Sequence, residues 1–497
     1  MEINIANFNQ LDVYQKRVAT AQAYLMRNQV YYGLPHEQPE NIEHHSPSWM
    51  IADQGFAFNA LEAAVLQQDM PAAIADFATV SSAIMRTAFT SDNPDWASVR
   101  SDLLANIPAS QRFYVGELFR IIASKGREEL PFSMRPDVQL TTDGQLRIVE
   151  VNDHNADKGN TLAVNDYSEL MFGEKPLGLG LAEAFAAGMN GQGEGNIATV
   201  LPTAYRTEYH AQNRFFARSA AGSVSGNWIS ADTSQLQLTA DGLFADSPFG
   251  QIKIDTIDRE FQLPGFTEDY DFLGEKMIIE AYLAGMVAIP GSLLPFNDKL
   301  LISFLFDRKF EMFAKAALMD NANSKLHRLR SMFAETAGLD AKGERANVSQ
   351  LADYDYFGGI TYSEILNGEV PLVLKRTGNN SNATEAKGVV ISTDTRKELW
   401  GQWVRHAFQN GGYVLQRFYP SVVREVAAHD SYRSKRQVNP EGKYRIAPYY
   451  VKSDNGYQLG NVLVTATVFH REKKLRSTNV IHAQRGTAYQ AAYQVDI

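Results

Sequence analysis

An Asp143-Gly144 pair standing between two alternating runs constrains this chain more than any other feature. Val138-Gln139-Leu140 comes before the pair, and Leu146-Arg147-Ile148-Val149-Glu150-Val151 comes after it. Asp-Gly accepts the positive φ angles of a tight hairpin turn, and alternation of period two sets one side of each strand against a core. The spacing predicts an antiparallel hairpin. Asp137 then lies near the start of one strand and Glu150 and Asn152 near the end of its partner, so the ends carrying them are neighbours. Glu150 and Asn152 are two apart and leave the sheet on one face, and Arg135 leaves on the face of Asp137.

Three oxygen donors on one spot suit Mg2+, a hard cation that takes carboxylate and amide oxygens and completes its octahedron with nucleotide phosphates. Asp137, Glu150 and Asn152 are the expected metal ligands. Arg135 is the expected catalytic residue, stabilising charge on a phosphoryl group in transit. The plain alternative is a hairpin carrying surface charges.

The rest of the chain narrows the class. At 497 residues it is too long for one core, and about two to four structural units are expected. Its 57 acidic against 47 basic residues give a net charge of −10, which argues against a mainly electrostatic nucleic-acid binder. With no cysteine, disulfides, thiolate metal sites and cysteine nucleophiles are excluded. The start has neither a basic nor an apolar leader region. The longest apolar stretch, around 278–295, is broken by Glu280, Gly285, Pro290 and Gly291. A soluble, cytoplasmic protein without membrane or nucleic-acid partners is expected.

Apolar spacing of three and four predicts a mainly helical region over 1–130. The hairpin unit follows at 131–160, a small α/β unit at 195–300 and a helical connection at 301–345. A lobe of strands occupies 355–497. A strand is expected at 286–289, and residues 335–355 read as a polar connection. The fold class is α+β or α/β, multidomain.

A bound nucleotide needs a grip on its phosphates and base. Pro371-Leu372-Val373-Leu374-Lys375 is an apolar strand ending in a point charge suited to phosphate. A polar loop, 378–388, follows and includes Lys387 and Gly388. Tyr413-Val414-Leu415-Gln416-Arg417-Phe418 is a further alternating run, and Asn297-Asp298-Lys299 precedes an apolar helix.

With these pieces in hand, the chain resembles the ATP-grasp superfamily. There an Arg-x-Asp precedes a Glu-x-Asn pair on the magnesium-binding strands, as Arg135, Asp137, Glu150 and Asn152 do here. The resemblance implies ATP and Mg2+ as cofactors. It implies phosphate contacts from Lys299, Lys375, Lys387 and Gly388, and adenine recognition by Gln416. The segment after the asparagine departs from the pattern of D-alanine–D-alanine ligase members, so the substrate does not carry over. The hairpin precedes the lysines, an order similar to that of circularly permuted members such as the glutathionylspermidine synthase-like ligases. Ile254 to Arg259 and Ala288 to Gly291 are similar to parts of their substrate domain.

Arg206, Arg259 and Arg445 are candidates for holding a substrate carboxylate or phosphate. His44-His45, Gly178-Leu179-Gly180 and the glycine-rich run at 191–195 read as loop, turn and linker. The expected function is an ATP-dependent carboxylate–amine ligase acting through an acyl phosphate, with a small-molecule carboxylate and amine as substrates. The alternatives are a phosphotransferase on the same scaffold and a nucleotide-binding protein without catalysis. Neither substrate nor the oligomeric state is readable from the residues.

Overall fold

The computed structural model describes residues 50–497 except 106, 125–129, 155, 191–194, 204–205, 248–249, 261–271, 340–358, 379–387, 431–434, 469–486 and 496–497, together with Lys16, Thr20, Tyr24 and Arg27. It is a mixed helix-and-sheet protein of several layers.

Two short strands, β1 (Met50–Ala52) and β2 (Phe56–Phe58), come first. At three residues each they are too short to show alternation, and the helical expectation passed over them. Helices Met70–Thr90, Pro94–Leu103 and Ala109–Ser124 follow. The first of these opens with Pro71, whose missing N–H is no loss in a first turn. Its Phe77, Ile84, Met85 and Phe89 are buried, each contributing about 1.5–3 kcal/mol. Phe77 stacks on Phe333 at 4.8 Å, which ties this layer to the far end of the chain's helical connection.

The predicted hairpin is β3 (Ser133–Leu140) and β4 (Leu146–Asn152). Helices Lys158–Phe172 and Leu181–Asn190 come next. A parallel sheet then forms from β5 (Ile197–Leu201), β6 (Trp228–Asp232) and β10 (Thr256–Arg259), in the order β10-β5-β6, with helix Arg206–Ala220 crossing between the first two. An antiparallel ribbon, β7 (Leu236–Thr239), β8 (Gly242–Ser247) and β9 (Gly250–Ile254), is attached to it. The strand expected at 286–289 reduces to a single bridge, Thr256 to Ala288. Gly285 and Gly291, both with positive φ, bend the chain on either side and leave no room for a ladder.

Helices Glu311–Leu318 and Ala322–Met332 lead into β11 (Thr336–Leu339). The polar connection expected at 335–355 thus begins with a strand, and its residues from 340 onward lie outside the described ones. A four-stranded antiparallel sheet, β11-β14-β12-β13, uses β12 (Leu372–Arg376), β13 (Val389–Ile391) and β14 (Tyr413–Arg417). Helix Lys397–Asn410 covers one side, where Trp400 and Val404 meet Leu372, Leu374 and Leu415.

The chain closes on itself through β15 (Val423–Asp430), β16 (Lys435–Ser453), β17 (Gly456–Thr467) and β18 (Thr487–Gln494). These join the hairpin in an eight-stranded sheet ordered β15-β1-β18-β17-β16-β3-β4, with β2 on β18. Alternation along its strands makes two cores. Ile446, Tyr450, Val462 and Val464 pack with the N-terminal helices, together with Val138, Ile148 and Val151 of the hairpin. Ala447, Tyr449, Leu463 and Tyr489 pack on the other face with helices Lys158–Phe172 and Leu181–Asn190. That second face carries the polar side of the hairpin. Among the described residues no helix is long and apolar enough to cross a membrane.

Candidate functional site

The hairpin pairs Asp137 with Glu150 and Arg135 with Asn152. Strand alternation puts all four on one face, opposite Val138 and Val151. The next pair is Val138 with Ile148, so Val149 has no partner and forms a bulge. Its carbonyl, released from the ladder, becomes an acceptor for two distant side chains. Lys375 Nζ donates to it at 2.9 Å and Gln416 Nε2 at 3.2 Å. Gln416 also donates to Thr336 Oγ1 at 2.9 Å, and both sit on the same face of the four-stranded sheet. The bulge is therefore the joint between hairpin and lobe.

Charge gathers at the same point. Lys299 Nζ lies 2.9 Å from Glu150 Oε1. Burial alone would raise the Glu150 carboxyl, but Lys299, Lys375 and Arg445 hold it below the usual carboxylate range. Burial lowers Lys375 to about 8, against the pull of Glu150 and with the push of the Lys299 charge. Arg445 Nη1, on β16, reaches Asp137 Oδ2 at 3.5 Å. Asp298 accepts the N–H groups of Leu300 at 2.9 Å and Gly378 at 3.3 Å, so the Asp-Lys pair and the start of the polar loop are bonded together.

Asp137 Oδ1 is buried and has no hydrogen-bond partner among the described residues. Asn152 Nδ2 is spent on Arg135 O at 3.4 Å, which leaves the amide oxygen for a ligand. No group of three or more His, Cys, Asp or Glu side chains that could hold a metal ion gathers among the described residues. Two carboxylates and an amide oxygen ringed by cations fit a hard dication that carries anionic phosphates with it.

Arg135 is held from behind. Its Nη1 donates to Ala156 O at 2.6 Å and Tyr449 OH at 3.1 Å, and it lies 3.4 Å from Asp157 Oδ2. Asp157 adopts a left-handed backbone at φ 66°, a strained choice for a side chain other than glycine that keeps to sites where geometry matters. Arg259 Nη2 donates to Asp153 O at 3.0 Å and sits 3.3 Å from its Oδ2. The segment after Asn152 is thus clamped by two arginines.

The other expected residues fall as follows. Gly388 accepts the Arg376 N–H at 2.9 Å, closing the strand pair β12–β13 at the end of the loop. Lys387 lies outside the described residues, as does the rest of the loop at 379–387. Arg206 opens its helix, and its side chain is outside the described set. The sequence reading passed over Asp157, Lys158, Asp258, Glu260 and Tyr449. They are far apart along the chain or follow Asn152 in no familiar pattern.

No protein-family model matches the chain, and no curated protein sequence matches it. Among solved structures it matches a crystal structure of a "Putative gamma-glutamylcysteine synthetase" from Methylobacillus flagellatus KT, at 11% identity and a TM-score of 0.38. The match covers 76% of this chain and 84% of that one. A likeness at that level assigns neither a family nor a reaction.

Proposed function

We propose that this protein is an ATP-dependent carboxylate–amine ligase working through an acyl phosphate. The observation that carries the reading is the convergence on one hairpin. Lys299, Lys375 and Gln416 arrive from distant parts of the chain and meet at Glu150 and the Val149 bulge. A set of acidic ligands embedded in cations suits a phosphate chain with its metal better than it suits a structural ion pair. The order of parts, hairpin before lysines, is that of the permuted ATP-grasp arrangement.

Asp137, Glu150 and Asn152 would hold Mg2+, which when bound neutralises charge on the nucleotide's phosphates. Lys299 and Lys375 share that neutralisation. A carboxylate oxygen of the first substrate attacks the terminal phosphorus, and the bond from that phosphorus to the bridging oxygen breaks with ADP keeping the electron pair. Arg135, fixed by Ala156 O and Tyr449, supplies positive charge beside the transferring group without reorganising. The amine nitrogen then attacks the acyl carbon. The carbon–oxygen bond to phosphate breaks, phosphate leaves, and the nitrogen loses a proton.

The test is a screen of amines and small carboxylates with Mg–ATP, following ADP and product mass. ADP release that needs both substrates, with a product equal to their sum less water, supports the reading. A stable phosphorylated product formed without any amine would make the protein a phosphotransferase.

A further inference from the structure

Both carboxylates of the expected metal set already face a cation from this chain. Lys299 Nζ lies 2.9 Å from Glu150 Oε1, and Arg445 Nη1 lies 3.5 Å from Asp137 Oδ2. Lys375 Nζ is 2.9 Å from Val149 O, the carbonyl of the residue before Glu150. Arg135 and Asp157 lie 3.4 Å apart, and Asp298 is the residue before Lys299. Among the described residues, Arg135, Lys299, Lys375 and Arg445 thus stand against Asp137, Glu150, Asp157 and Asp298, one positive charge for each negative one. A bare dication meets no surplus of negative charge in this cluster.

Lys299 is the cation that stands in its way. A dication on the Glu150 carboxylate comes within about 4 Å of the Lys299 ammonium, where like charges repel strongly away from bulk water. The two side chains are only 26% and 7% exposed, so solvent screens little of that repulsion. The backbone at Lys299 is anchored, because Asp298 accepts the Leu300 N–H at 2.9 Å and the Gly378 N–H at 3.3 Å. The four-carbon stem lets the ammonium swing on that anchor. Once off Glu150 it needs another anion, since an unpaired buried charge is costly. Phosphate oxygens supply one, and a bare cation does not.

We propose that Lys299 is a built-in counter-ion that holds the metal position at Glu150 and keeps a bare divalent cation out of it. How it is released rests on the ligase reading: the phosphate oxygens of an incoming nucleotide draw the ammonium off Glu150 and free the carboxylate for the metal. The exclusion itself needs only that Glu150 is a metal ligand. Its consequence is an order of binding in which the metal enters with the nucleotide and not before it.

Titration of the full chain with Mn2+ alone tests this, since Mn2+ shares the oxygen preference of Mg2+ and its free fraction is read by electron paramagnetic resonance. Lys299→Met is expected to bind Mn2+ at least about tenfold more tightly than the wild type. Lys299→Gln, a second neutral variant, is expected to show the same gain, and Lys299→Arg none. Adding Glu150→Gln to either neutral variant is expected to abolish the gain, which locates the ion; circular dichroism checks the fold of each protein. Neutral variants that bind Mn2+ no more tightly than the wild type overturn the proposal, and so does a gain that survives Glu150→Gln. Thermal stabilisation of the wild type by Mg–ATP reports on the ligase reading separately. Stabilisation without the gain removes the proposal and keeps that reading, whereas the gain without stabilisation keeps the exclusion and removes the reading.

Discussion

Replacing Glu150 by glutamine is expected to destabilise the protein through the cations it leaves behind. Lys299 and Lys375 are both 7% exposed and are held against Glu150 and the Val149 carbonyl. Removing one partner of a buried pair costs about 3–5 kcal/mol, because the other charge stays buried. Glu150 has a side-chain exposure of 26%, so solvent screens part of this, and about 2–3 kcal/mol is the appropriate figure. Lys299→Met removes the other partner, and the double variant leaves no orphaned Lys299 charge. The double variant should then be more stable than the two single losses add up to, by about 1–3 kcal/mol. Urea unfolding followed by tryptophan fluorescence measures all four proteins, with an unchanged m-value as the check on comparability. An E150Q midpoint equal to the wild type, or strictly additive losses in the double variant, would refute the electrostatic account of the joint.

Three further outcomes follow from other parts of the structure. Burial, with Glu183 nearby, raises the Asp166 carboxyl to about 6. Its contribution to stability is present below the unfolded value and is lost as pH rises through about 6, so Asp166→Asn should stabilise by about 1–2 kcal/mol above that pH and change nothing in acid. A melting curve at two pH values decides it. Gly159→Ala forces a Cβ to within 2.2 Å of Gln212 O and should destabilise by about 2–3 kcal/mol, read from urea unfolding; an unchanged midpoint would mean the helices can part freely. Arg135→Lys loses the planar guanidinium whose Nη1 donates to both Ala156 O and Tyr449, and kcat should fall about 100-fold or more with KM for ATP little changed. Equal losses in both would place Arg135 in nucleotide binding instead.

The hairpin was readable because everything that defines it is local. Asp143-Gly144 sets the turn, alternation sets the face, and two-residue spacing sets Glu150 beside Asn152. The bulge was not readable: nothing in Ile148-Val149-Glu150 says which residue will drop out of the ladder. Yet the bulge gives Lys375 and Gln416 their acceptor at Val149. Their meeting with a strand more than two hundred positions earlier depends on the chain's closure through β16, which no periodicity reports. The strand expected at 286–289 failed because Gly285 and Gly291 bend the backbone within reach of one bridge only. The Lys158, Asp258 and Glu260 triad was invisible for a similar reason, since a lone lysine and an Asp-x-Glu pair look like surface charge until the fold buries them together.

Titration calorimetry of Mg–ATP into the wild type and into Asp137→Ala tests the central claim most directly. Asp137 Oδ1 is buried, on the residue paired with Glu150, and has no hydrogen-bond partner among the described residues, and loss of this side chain removes one of only two carboxylates from the proposed metal set. The account predicts one binding site in the wild type, with affinity reduced about 10–100-fold or more in the variant and little heat from ATP when magnesium is chelated. Equal affinity in the two proteins, or no binding by the wild type at all, would contradict it.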